Sequence, residues 1–189
     1  MLRNRWTLAV IIASAIPVTG AALSQNAQDP LQGLVETSAR RLLIAKEVAL
    51  AKWDEGAPVE DAPREAQVIA SAVKDGAAIG LEPASVESFF RAQIEANKVV
   101  QYALLADWRR SGKAPAHPPI NLVVTIRPQL DQLQTELIAE LKDVQAIRAS
   151  ATCPTEVAKA VGNYVTAHKH DVDPLEEIAL DRALAATCG

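Results

Sequence analysis

Apolar and small side chains recur at helical spacing from Leu31 to about Trp53, through Leu34, Val35, Ser38, Leu42, Ala45 and Ala49, which predicts one long helix. Gly56-Ala57-Pro58 breaks it. Asp61 followed by Pro63 reads as the start of a second helix, ending near Gly80, because an aspartate can accept from the free first-turn N–H groups and proline lacks one. Pro83 and Ser85 open a third, running to about Arg110, where Ser111-Gly112 and the stretch from Pro115 to Pro119 force a loop. A leucine stripe at Leu130, Leu133, Leu137 and Leu141 marks a fourth helix from about Val123 to Ser150. Two shorter helices follow, Pro154 to about His168 and Asp173 to about Ala186. The expected fold is all-α, about six helices in a single-domain bundle.

Composition agrees with that pattern. The chain has 189 residues, 49% hydrophobic, which is enough for one buried core and short for two; aromatics at 4% and only 8 glycines favour helix over strand. The N-terminus reads as an export signal, with Arg3 and Arg5, an apolar run from Trp6 to Ile16, and small residues from Pro17 to Ser24. Cleavage is expected after residue 24, leaving 25–189 as the mature domain, with cuts after Ala21 or Ala22 and an uncleaved anchor as the alternatives. The apolar run is short for a bilayer span, so a periplasmic or secreted protein without stable membrane association is expected. Losing residues 1–24 removes two positive charges and no acidic ones, taking the net charge from −4 to −6, which argues against nucleic acid as a partner. Cys153 and Cys188 form an even pair in an exported chain and predict one disulfide tying the C-terminal helices.

Several polar residues fall where a core stripe should be apolar. Arg41 and Lys52 are eleven residues apart, about three helical turns, and share a face with Leu34, Ser38 and Ala45. Asn97 and Gln101 sit one turn apart within the stripe of Phe90, Ile94, Leu104 and Trp108. Buried amides and charges need partners or a wet cavity. Taken singly, each has a plain structural explanation: the cations could snorkel to solvent, the amides could bond each other or nearby backbone, Asp61 could serve only as a cap, and Arg64, Glu65 and Arg127 could be ordinary first-turn residues. Together, cations from three helices and two inward amides imply a cavity for a small polyanion.

In order and spacing, these residues resemble the exported all-helical chorismate mutases, the secreted gamma subclass of the helical mutase family. The resemblance runs from Leu34 to Cys188: Arg41, then Lys52-Trp53, Val59-Glu60-Asp61 with Arg64-Glu65, Gln93-Ile94-Glu95-Ala96-Asn97-Lys98 with Gln101, Asp107-Trp108, Arg127 before the leucine-rich helix, and the late cysteine pair. It implies conversion of chorismate to prephenate without metal or cofactor. By the same resemblance, Arg41, Arg64 and Arg127 hold the two carboxylates, Lys52 and Gln101 donate to the ether oxygen, and Asn97 bonds a carboxylate. Glu65, with the backbone at Asp61, fixes the ring hydroxyl. A homodimer with each site built within one chain is also implied.

The remaining residues suggest little other chemistry. His168 and His170, at spacing i and i+2, do not share a helical face and read as solvated rather than metal-binding. Trp53, Trp108 and Tyr102 read as core or pocket wall. Two competing functions stay open: a non-catalytic exported helical module binding a small dicarboxylate or a protein partner, and a lyase acting on a chorismate relative.

Overall fold

Proline stands in the first turn of six helices, where its missing N–H costs nothing and its fixed φ suits the helical backbone. The computed structural model describes residues 29–189, and the predicted signal segment, 1–24, lies outside them. The helices are α1 (Pro30–Glu55), α2 (Ala62–Ala78), α3 (Pro83–Ser111), α4 (Arg127–Asp143), α5 (Gln145–Arg148), α6 (Cys153–Ala167) and α7 (Pro174–Leu184), with no strand among the described residues. Side-chain caps fix several starts: Asp29 accepts from Leu31, Asp61 from Arg64, Glu82 from Ser85, and Asp173 forms a reciprocal box with Glu176. Gly56 ends α1 at φ 63°, a left-handed conformation that glycine adopts without strain.

The expected fourth helix is not continuous. A π turn, Leu122–Ile126, precedes α4, and the chain breaks again at Val144. Pro128 has no N–H to offer the Val124 carbonyl, so a regular ladder cannot run through this point, and the Arg127 N–H reaches back to Leu122 instead. At Val144 the backbone leaves helical geometry (φ −89°, ψ 9°) around a fully buried side chain, with neither glycine nor proline to announce it.

Helix α1 is the central element, packed against α3, α4, α6 and α7. Leu34, Val35, Phe89, Phe90, Leu137 and Leu141 are fully buried in the main core. A Cβ on Gly76 would lie 2.9 Å from Val86 Cγ2, so the glycine lets α2 approach α3 closely. At the far end, Cys153 and Cys188 form the predicted disulfide, with Cα atoms 5.8 Å apart. Beside it, the buried Arg148 donates through Nε to the Thr187 carbonyl (2.6 Å) and through a terminal nitrogen to Ser85 Oγ, tying the C-terminal tail to α3.

The disulfide closes a 35-residue separation, which in the loop-entropy description contributes about 3–4 kcal/mol. Cys153→Ser/Cys188→Ser is expected to lower the unfolding free energy in a urea titration by about that amount, while leaving activity at 25 °C intact because neither cysteine lines the cavity described next. An unchanged urea midpoint would show that the bridge does not contribute in this way.

Candidate active site

All eight residues singled out from the sequence line one cavity of about 130 Å³, enclosed by α1, α2, α3, the π turn and α4. Helix α1 contributes Arg41, Val48 and Lys52; the following loop gives Val59 and Asp61; α2 gives Arg64, Glu65 and Val68. From the other side come Ile94, Asn97, Lys98 and Gln101 of α3, Leu122 and Ile126 of the π turn, and Arg127, Leu130, Asp131 and Gln134 of α4. Every one of these segments except the π turn contributes both an apolar and a charged side chain. Of the five cations that line the cavity, Arg64 is paired with Asp131 and Lys98 with Glu60, Glu65 and Glu95, whereas Arg41, Lys52 and Arg127 make no ion pair among the described residues.

Arg41 is the most deeply placed of these, only 5% exposed, and among the described residues its Nε has no hydrogen-bond partner. Desolvation lowers its pKa to about 10 despite the nearby Asp131 carboxylate, so it remains a cation at neutral pH. Its snorkelling alternative is thereby excluded. Lys52 is half-buried and donates to the Val59 carbonyl at 2.5 Å. Burial pushes its pKa down, opposed by Asp61, Glu65 and Glu60.

The amide pair does two things at once. Asn97 Nδ2 donates to the Arg41 carbonyl (3.2 Å) and Gln101 Nε2 to Asn97 Oδ1 (2.6 Å), so the mutual bonding foreseen as the plain explanation is present, and both side chains still border the cavity. An amide nitrogen carries two hydrogens, so Gln101 keeps one to offer. Asp61 caps α2 by accepting from the Arg64 N–H (3.2 Å), and Glu65 accepts from the Asp61 N–H (3.2 Å) and from Lys98 (3.3 Å). Arg64 is paired with Asp131 at 3.2 Å.

Sequence reading overlooked Lys98, Asp131 and Gln134 as cavity residues. Gln134 had the same signal that exposed Asn97 and Gln101: it lies one turn from Leu130 and Leu137 on the leucine stripe, and it is 7% exposed. Asp131 and Lys98 look like solvated charges in sequence, and only the packing of α2 against α3 and α4 places them at the cavity, Asp131 with its side chain still mostly exposed. Tyr102 corrects an expectation in the other direction. It is not core or pocket wall but 47% exposed, its hydroxyl donating to Glu60 at 2.5 Å. Trp53 and Trp108 do pack as expected, edge to face at 6.0 Å. No cluster of metal-ligating side chains occurs among the described residues.

The sequence profile of the family described as chorismate mutase type II matches residues 32–102, which carry α1, α2 and most of α3. A secreted chorismate mutase of Mycolicibacterium smegmatis is 30% identical over 160 residues, covering 84% of this chain and 86% of that protein. Among solved structures, a chorismate mutase from Burkholderia phymatum is 46% identical with a TM-score of 0.80, covering 86% of this chain and 98% of its own. One from Burkholderia thailandensis is 37% identical at 0.79, covering 84% and 99%.

Whatever anion the cavity takes, Arg41 is a destabilising group in its absence, since a buried cation is favourable only when well paired. Arg41→Met, which keeps the length and removes the charge, is expected to raise the thermal midpoint by about 2–4 °C and to abolish the further rise that a bound dicarboxylate gives the unaltered protein. A lower midpoint would make Arg41 a structural residue.

Proposed function

This chain belongs to the chorismate mutase type II family, and we propose a division of labour among its cavity residues that accounts for the reaction. It is an exported isomerase that rearranges chorismate to prephenate. In that reaction one C–O bond breaks as one C–C bond forms within a single molecule, and negative charge builds on the ether oxygen. No nucleophile is needed; the protein must hold the compact, chair-like conformer and aim donors at the developing charge.

The observation that carries this reading is that three cavity cations, Arg41, Lys52 and Arg127, have no ion-pair partner among the described residues, which suits a substrate with two carboxylates and a developing negative charge. Arg41, Arg64 and Arg127 take the carboxylates, guanidinium forks being suited to planar anions. Asn97 adds a hydrogen bond to one of them. Lys52 and Gln101 donate to the ether oxygen, Lys52 from its seat on the Val59 carbonyl and Gln101 through its second amide hydrogen. Glu65 and the backbone at Asp61 receive the ring hydroxyl, on a helix start already organised by their mutual cap. Every one of these groups comes from a single chain, so the homodimer that accompanies this reading is not required to complete a site.

The direct test adds purified mature protein to chorismate, follows its ultraviolet absorbance, and acidifies to convert prephenate to phenylpyruvate. Phenylpyruvate in step with chorismate loss supports the mutase. A different product would favour a lyase, and no loss a binding module. Within the mutase, Lys52→Ala is expected to lower kcat by about 100-fold or more with the fold intact, as for a donor engaged chiefly in the transition state, whereas Arg127→Ala raises KM. Near-normal kcat, or an unchanged KM, would remove the respective residue from its role.

The pH profile gives an independent check. Glutamine does not titrate, so kcat at saturating chorismate should be flat between pH 5 and 7.5. Lys52 stabilises the developing negative charge as an ammonium and its pKa is lowered by burial, so turnover is lost as pH rises, beginning below the ordinary lysine value of 10.5. A steep fall between pH 5 and 7.5 would contradict the Gln101 assignment.

A further inference from the structure

The segment between α1 and α2 carries the Val59 carbonyl that seats Lys52, yet no helical ladder holds this stretch of backbone. Two things fix it. The Val59 side chain is buried among Ala49, Leu50, Leu105 and Trp108. Next to it, the Glu60 carboxylate is gripped at both oxygens, Oε1 by the Tyr102 hydroxyl (2.5 Å) and Oε2 by Lys98 Nζ (2.7 Å). Lys98 and Tyr102 stand one helical turn apart, so α3 presents them as a fork. Lys98 is itself held in place, bonded also to Glu65 (3.3 Å) and Glu95 (2.7 Å).

Glu60 does not line the cavity. Its side chain is 54% exposed, which leaves it little part in stability, since exposed ion pairs are typically worth about 0–1 kcal/mol. Its neighbour's carbonyl, however, meets the ammonium that the reaction uses. We propose that Glu60, clamped by Lys98 and Tyr102, is a positioning residue for Lys52: it fixes the Val59 carbonyl and so aims the ammonium into the cavity. This rests on the assignment of Lys52 as a donor in the reaction.

A misdirected donor lowers transition-state stabilisation while leaving the arginines that bind substrate untouched, so the signature is a split between kcat and KM. Glu60→Ala is expected to lower kcat about tenfold, with KM within about twofold and the thermal midpoint unchanged. Glu60→Gln, which keeps an acceptor oxygen, should recover part of the loss, and Tyr102→Phe should cost less than Glu60→Ala. Unchanged kcat in Glu60→Ala, or a parallel loss of kcat, KM and thermal midpoint, would overturn the proposal. Lys52→Ala measured alongside separates the two levels. If it collapses kcat while Glu60→Ala is normal, the positioning role alone fails; if it is itself near normal, the Lys52 assignment fails and the clamp with it.

Discussion

Arg41 sets the terms for the rest of the site. A guanidinium 5% exposed, with an unpaired Nε and its pKa drawn down to about 10, is a charge the fold holds away from water without full compensation. Such a group survives only if the surrounding packing is strong enough to bear its cost. That strength comes from α1, which carries Arg41 and is packed along its length by α3, α4, α6 and α7. The unmet demand of the cation is then available to an anion that enters the cavity.

The other charged groups are arranged so that Arg41, Lys52 and Arg127 stay without ion-pair partners among the described residues. Asp131 pairs with Arg64, and Glu65 is shared between the Asp61 N–H and Lys98, so the three cavity carboxylates are already engaged. Burial draws the pKa of Lys52 down, and the acidic side chains of the α1–α2 loop and α2 oppose that shift. A donor fixed before the substrate arrives needs no reorganisation as charge develops, which is where electrostatic catalysis gains over water. Rigid helices suit this task better than mobile loops, and the irregular segment that seats Lys52, around Val59, is anchored to α3 at two neighbouring residues.

Helix starts were legible in the sequence because proline and acidic caps mark them chemically, as at Asp61-Ala62-Pro63 and Asp173-Pro174. Part of the cavity lining was legible where a polar residue interrupts an apolar stripe, as Arg41, Asn97 and Gln101 do, and Gln134 carries the same signal. The fourth helix was misread as continuous: Pro128 fell too near its expected start to read as a break, and nothing local marks Val144. Lys98, Asp131 and Tyr102 went unassigned or misassigned for a different reason. Lys98 and Asp131 look like ordinary surface charges and Tyr102 like a core aromatic beside the α3 stripe, and the partners of all three are long-range in the chain: Glu60 for Lys98 and Tyr102, Arg64 for Asp131. Periodicity reports which face a residue occupies on its own helix, not which charged loop will be laid across it.

The central claim is that the cavity is built to match two negative charges. Calorimetric titration of the mature protein with prephenate, a dicarboxylate, and with phenylpyruvate, a monocarboxylate, measures that directly. Prephenate is expected to bind at least about tenfold more tightly at low ionic strength, a difference of about 1.4 kcal/mol, with the gap narrowing as salt is added. Equal affinities, insensitive to salt, would contradict the account.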